Sequence, residues 1–326
     1  MQVTILPTQR CNVKCLMCHC WKVEEDFISV DHILNFIEDL ITWQSGNFVL
    51  HIGGGEPLIF KGIEDIIKKC SENNIICKVT TNGYGLTDKM CDRLIHAGLS
   101  YLTVSLDSHQ PDVHNNFRGR AGTFERAVRG IEYLSKHSNM TLGTSSILMK
   151  DNIEGIDQFL DFLLDLDTNR ILFQPIRDYY NPIDRWQTYS YWIADEDLLD
   201  RGIDTLIAYR KAHDKILNPI SDFKVMQEYF KDPYSIVNNQ ECYIGYERLF
   251  VDDKGQITLC DAYSSIGNIK DRQIASQWKS ATANGERIRM KSCTLPCTSN
   301  CKKDLNLSEK VMKFTQLYRA GLFERS

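Results

Sequence analysis

Between residues 3 and 212, short apolar runs alternate with stretches whose apolar residues recur at helical spacing. This alternation constrains the fold more than any other feature of the chain. Extended runs fall at residues 3–6, 48–52, 75–79, 101–106, 141–149 and 171–175, and helical patterns at 30–43, 63–70, 87–97, 123–135, 153–166 and 195–212. Ser29 or Asp31 can cap the first helix, and Gly98 closes the third. Strand–helix units in series predict a parallel sheet with helices outside it. Right-handed crossovers either curl such a sheet into a barrel or leave it doubly wound. In both forms functional loops gather at the C-terminal ends of the strands.

The alternation stops after residue 218. A helical stretch precedes Asp232-Pro233. Residues 249–251 and 256–259 then flank Asp252-Asp253-Lys254-Gly255, a hairpin signal with a glycine available for a positive φ. The expected organisation is an α/β domain over 1–218 and a small cysteine-rich α+β domain, hairpin plus helix, over 219–326. Internal repeats and low-complexity tracts are absent from the sequence. The chain has 326 residues, 43% of them hydrophobic, enough for a sizeable core. Its formal net charge is −5 and it has no basic block, which leaves a nucleic-acid partner without electrostatic support. The opening MQVTILPTQRC has no apolar signal core, and no run approaches the ~20 apolar residues of a membrane span. The expectation is a cytoplasmic protein without a membrane partner.

Twelve cysteines are many for a chain of this kind, and in a reducing compartment they point to ligation or redox chemistry rather than disulfides. Cys70, Cys77 and Cys91 lie in apolar surroundings and read as buried small hydrophobes. The others form two groups. Cys11, Cys15 and Cys18 offer three thiolates from one loop directly after the first strand, with His19 or Cys20 within reach as a fourth ligand. Three thiolates suit a four-iron cluster with one iron left open for a ligand's amine and carboxylate; zinc ordinarily takes four protein ligands, or three and a water.

The C-x3-C-x2-C spacing resembles the signature of the radical SAM superfamily, with Met17 standing where members usually carry an aromatic residue. Further similarities follow in order. Gly54-Gly55-Glu56-Pro57 ends the second strand and resembles the GGEP motif, Thr80-Thr81-Asn82-Gly83 ends the third, and Ser105-Leu106-Asp107 ends the fourth, before Arg118-Gly119 and Gly122-Thr123-Phe124. The resemblance implies a partial (β/α)6 TIM-like barrel in which Cys11, Cys15 and Cys18 hold a 4Fe–4S cluster. It implies that Gly54, Gly55, Glu56, Thr81, Asn82 and Ser105 contact S-adenosylmethionine (SAM). Arg118 or Arg126 would bond the SAM carboxylate; the alternative for each is a solvated helix-flank arginine. The activity implied is reductive cleavage of SAM to a 5′-deoxyadenosyl radical that takes a substrate hydrogen. A one-electron donor such as flavodoxin or ferredoxin would be the redox partner.

Cys242, Cys260, Cys293, Cys297 and Cys301, with the hairpin between the first two, resemble the SPASM and twitch domains that bind auxiliary clusters in such enzymes. By that resemblance a second 4Fe–4S cluster would take Cys242, Cys260, Cys293 and either Cys297 or Cys301. Four thiolates suit zinc equally. An electron-accepting auxiliary cluster would make the enzyme an oxidoreductase, with substrate either a small alcohol or aminocyclitol, dehydrogenated, or a ribosomally made peptide, crosslinked, epimerised or oxidised. The short N-terminus has no room for a leader-peptide-binding domain, which favours the small molecule. Residues 179–192, rich in aromatics, would line the substrate site or dock the second domain. A non-enzymatic zinc scaffold or electron carrier leaves the SAM-loop motifs unexplained.

Overall fold

The computed structural model describes residues 1–18, 20–23, 28–177, 188–236, 242–295 and 297. Six parallel strands appear in the expected order: β1 (Gln2–Ile5), β2 (Val49–Ile52), β3 (Ile76–Thr81), β4 (Tyr101–Ser105), β5 (Thr141–Leu148) and β6 (Arg170–Pro175). Between them run α1 (Val30–Gln44), α2 (Ile63–Glu72), α3 (Asp88–Ala97), α4 (Pro111–Arg118), α5 (Thr123–His137), α6 (Lys150–Ile153) and α7 (Ile156–Asp165). Then come α8 (Glu196–Ala212), α9 (Ile220–Lys231), β7 (Arg248–Val251), β8 (Gln256–Thr258), β9 (Gly267–Asn268), α10 (Ile274–Trp278) and α11 (Ala281–Lys291).

The helices form where the apolar spacing puts them. In α1 the buried residues are Ile33, Phe36, Ile37 and Leu40, a single stripe of an α-helix, and in α2 they are Ile63, Ile66, Ile67 and Cys70. Ser29 caps α1 in a reciprocal arrangement with His32. Cys70, Cys77 and Cys91 are fully buried in the core. Two helical features depart from the sequence pattern. The stretch at 153–166 is broken at Glu154–Gly155 into α6 and α7. The eight-residue α4 was not expected, although Pro111 at its first turn and Gly119 in the left-handed region just past its end are the usual punctuation of a helix.

The strand order is β6-β5-β4-β3-β2-β1-β7-β8-β9. From β1 to β6 it never reverses. A doubly wound sheet needs a reversal, whereas same-handed crossovers without one place every helix on one face and curl the sheet into a partial barrel. Burial follows. On β2, Leu50 and Ile52 are buried against the helices while Val49 and His51 are only half-buried on the concave face, and β7 repeats the alternation. The hairpin of β7 and β8 forms as the sequence indicates, with Gly255 at φ +78°. Its first strand also pairs in parallel with β1, so β1 lies inside the sheet.

The other edge is closed by the segment after α8. Ile171 on β6 exchanges backbone bonds with Lys215 and Leu217. The buried Asn218 side chain accepts from the Phe173 N–H at 2.7 Å and donates to the Phe173 carbonyl at 3.0 Å, in place of a neighbouring strand. Replacing Asn218 by Ala removes both bonds from a buried backbone, and urea unfolding is expected to show a loss of about 2 kcal/mol.

Candidate active site

The loop carrying Cys11, Cys15 and Cys18 follows β1 and is held by its own backbone from two sides. From the β2 end, the N–H groups of Gly55 and Glu56 donate to the carbonyls of Thr8 and Arg10, each at 2.9 Å. A Cβ on Gly55 would overlap the carbonyl oxygens of Arg10 and Gln9, and Gly54 sits at φ +108° against Thr8. Two adjacent glycines are needed because this loop, rather than only a ligand, approaches the main chain. From the other side, the N–H groups of Lys14 and Leu16 donate to the carbonyls of Arg118 and Phe117 at the end of α4, at 3.1 and 3.0 Å. Gly119, at φ +65°, lets α4 end where a Cβ would overlap the Lys14 carbonyl.

Glu56 is fully buried and ties β2 to β3. Its carboxylate accepts from the Thr81 hydroxyl at 2.7 Å, the Asn82 N–H at 2.8 Å and the Leu58 N–H at 3.1 Å. Burial pushes this carboxyl upward, against the pull of those three bonds. Asn82 donates through Nδ2 to Asn12 Oδ1 at 2.8 Å and lies 3.7 Å from Cys11 Sγ. Ser105, 9% exposed, is the last residue of β4. Gly55, Glu56 and Asn82, singled out from the sequence, therefore stand against one loop.

Arg118 is not a solvated flank residue. Its Nε donates to Asp107 Oδ2 at 2.6 Å, its Nη1 is 4.0 Å from Cys15 Sγ, and only 6% of it is exposed. Burial alone would pull this guanidinium down, but Asp107 and then Cys15 more than offset it and hold it charged. Asp107, wholly buried, also accepts from the Ile147 N–H at 3.0 Å. Its own N–H donates to Nδ1 of His114, whose pKa burial lowers to about 4, so that ring is neutral. Asn152 donates to its carbonyl at 2.8 Å. Arg126, by contrast, is exposed and stacks on Tyr84, 4.3 Å from the ring centre. Asp107, Asn12 and Gly119 had no assigned role from the sequence; the Ser-Leu-Asp run was the signal for the first.

Thiolates are the ligands an iron–sulfur cluster takes, although among the described residues no three such side chains lie close enough together to hold a metal. Burial raises Cys11 to about 12, partly countered by a backbone bond from Val13; Cys15 and Cys18 also raise it, which places the three within electrostatic reach of one another. Cys15 is raised by burial and pulled back chiefly by Arg118, while Cys18 is pushed up by Cys20 and then by burial. Cys15 is buried and Cys11 and Cys18 half-buried, with a fixed cation at Cys15 and a side-chain N–H at Cys11, surroundings that favour sulfur bound as thiolate to an anionic cluster. His19 lies outside the described residues.

In the second cysteine group the hydroxyl of Tyr263 is bonded to Cys293 and raised, first by burial and then by Cys293, Cys260 and Cys242. Cys260 is raised to about 12, mainly by burial, with Cys297 among the charges that reach it. Three of the five cysteines, Cys242, Cys260 and Cys293, therefore lie about Tyr263, which sequence reasoning missed for want of any spacing signal, and Cys297 reaches the group through Cys260. Cys301 lies outside the described residues. Of the aromatic stretch, Tyr179, Tyr180 and Trp186 also lie outside them. Tyr191 and Trp192 are buried, Trp192 against Tyr229 and Phe230, so this part packs on α9.

An incomplete parallel barrel carries three cysteines in the loop after its first strand, held by the ends of β2, β3 and α4. Residues 5–163 match the model of the radical SAM superfamily, so the chain carries a radical SAM domain. Its cofactors are accordingly a 4Fe–4S cluster and SAM. It is 30% identical over 169 residues to Fe-coproporphyrin III synthase of Methanosarcina barkeri, covering 51% of this chain and 41% of the relative. It is 27% identical over 154 residues to the mycofactocin maturase MftC of Mycolicibacterium smegmatis, covering 47% and 38%. The alignments thus span less than half of either relative. Among solved structures, anSMEcpe with bound AdoMet superposes with a TM-score of 0.71 at 15% identity over 99% of this chain and 96% of that one, which shows the same fold. Among the described residues no helix is long and apolar enough to cross a membrane.

Two outcomes follow from this geometry. Gly55→Ala is expected to lose most of its bound iron while keeping its far-ultraviolet circular dichroism, because the new Cβ displaces the cysteine loop and not the barrel. Arg118→Gln strands Asp107 in the interior, and denaturant unfolding is expected to show a cost of about 3 kcal/mol.

Proposed function

We propose that this chain cleaves SAM reductively at a cluster held by Cys11, Cys15 and Cys18 and takes a hydrogen atom from a peptide substrate. The observation that carries the site is the double pinning of the cysteine loop, by Gly55 and Glu56 on one side and by Arg118 and Phe117 on the other. Bound there, the cluster supplies one electron to the SAM sulfonium, from a one-electron donor of the flavodoxin or ferredoxin kind. The chain's own residues do the rest. Arg118 keeps a positive charge at Cys15, and Asn82 directs an N–H towards Cys11. Glu56 fixes the β2 and β3 ends between which SAM would lie, and Gly54, Thr81 and Ser105 offer it backbone and hydroxyl groups.

The peptide reading is supported by the maturase among the relatives and by the whole-chain likeness to anSMEcpe, which is also solved with AdoMet and the Cp18Cys peptide. Neither relative named above carries an alcohol-dehydrogenase name, and the small alcohol or aminocyclitol rests on the cysteine count and the length of the N-terminus. Residues 219–326 are proposed as a SPASM/twitch-like auxiliary-cluster domain continuous with the barrel sheet through β7, its cluster held by Cys242, Cys260, Cys293 and Cys297. The oxidoreductase character of the enzyme rests on that second cluster accepting an electron.

Cys15→Ala is expected to abolish 5′-deoxyadenosine formation in anaerobic reconstituted protein; unchanged production sinks the central claim. Cys297→Ala is expected to lose about half of the iron and Cys301→Ala none, with a zinc-only C-terminal site refuting the auxiliary cluster. For the substrate, deuterated peptides encoded beside the gene are expected to pass deuterium into 5′-deoxyadenosine. Transfer from small polyols alone would overturn the peptide reading.

A further inference from the structure

The concave face of the sheet is polar and carries cations low in the barrel. Lys78 is the third residue of β3, Arg170 opens β6 and Arg248 opens β7. Side chains alternate along each strand. Cys77 and Val79 are buried against the helices, as are Ile171 and Leu249, so Lys78, Arg170 and Arg248 face the lumen. Among the described residues none of the three has a carboxylate within ion-pair distance. Among the described residues the ion pairs lie elsewhere, chiefly on the outer helices and at Asp107.

What orders these cations is an aromatic ring. Tyr101, at the start of β4, lies 5.4 Å from Lys78 Nζ and 5.4 Å from the Arg170 guanidinium. Its ring reaches Arg170 by crossing β5 at Gly143, where a Cβ would stand 2.8 Å from the Tyr101 hydroxyl. His51 on β2 pairs with Thr80 at 2.9 Å and has its pKa lowered to about 4, by burial first and then by Lys78 and Arg248. It therefore stays neutral between two of the cations. Burial and then Arg170 lower Lys78 as well. Like charges gathered on one face of the sheet repel one another, and a chain of net charge −5 has ample carboxylates to neutralise them, yet among the described residues none lies within ion-pair distance of these three.

We infer that the barrel floor formed by Lys78, Arg170 and Arg248 is a binding site for an anionic group of the substrate, a carboxylate or a phosphate. The site is distinct from that of SAM. Lys78 precedes Asn82 by four residues of extended chain, which sets it about 13 Å below the cysteine loop at ~3.3 Å per residue. A substrate anchored there by its anion would present a carbon some 10 Å further on, roughly three strand residues up, to the ends of β3 and β4. This deepens the peptide reading by naming a group the peptide carries, an acidic side chain or a terminal carboxylate. It stands or falls separately, because anion binding is read without turnover.

The test titrates the reconstituted holoenzyme, with SAM present, with succinate and with inorganic phosphate, against chloride at equal ionic strength. Binding is read by calorimetry and thermal melting. Saturable binding of at least one anion is expected, with Lys78→Met and Arg248→Met each weakening it at least tenfold and Lys78→Arg restoring it. Arg129→Met, which removes an outer cation paired with Asp88, is expected to leave it unchanged. Succinate alone would mark a carboxylate site and phosphate alone a phosphate-ester site. The inference is overturned if neither anion exceeds chloride, or if Lys78→Met and Arg248→Met bind as the unmodified enzyme does.

Discussion

The buried pair of Arg118 and Asp107 is the interaction on which the site depends. Asp107 leaves the end of β4, and through it five segments are joined: α4 by Arg118 and His114, β5 by the Ile147 N–H, α6 by Asn152, and the cysteine loop by the guanidinium beside Cys15. A buried pair of this kind gains little net stability, since desolvating two charges offsets much of their attraction, but breaking it is costly. Its contribution here is specificity of position. Once Arg118 is fixed, the carbonyls that close α4 are fixed too, and the loop of Cys11, Cys15 and Cys18 has a template for its backbone.

Much of the barrel was legible because each strand and helix is a local pattern. The stripe of Ile33, Phe36, Ile37 and Leu40 and the cap at Ser29 are visible in any window of the sequence, and so is the glycine that ends α3. The exceptions are also physical. The break between α6 and α7 leaves the apolar spacing nearly undisturbed, so periodicity cannot show it. In α4 only His114, Phe117 and Arg118 are buried, and two of those are polar, so hydrophobic patterning passes over a helix whose purpose is to deliver an arginine.

At the site, the identities of the residues could be read but not their partners. Gly54 and Gly55 read from the sequence as room for a ligand; they also give room to the backbone of Thr8 to Arg10. Glu56 read from the sequence as a ligand contact; what could not be read is that its carboxylate also accepts from Thr81, Asn82 and Leu58. Tyr263 could not be found at all, because what marks it is its place among Cys242, Cys260 and Cys293, which lie far from one another in sequence.

The parallel pairing of β1 with β7 has a consequence for how the chain is made. Val3 aligns with Leu249, so nearly the whole described chain separates two neighbours in the sheet. Synthesis at about 5–20 residues per second leaves β1 with one bare edge for many seconds after β2 has covered the other. The long-range closure that completes the sheet is entropically slow, so β1 keeps an open edge well after the cysteine loop that follows it has met its partners at Gly55 and Arg118.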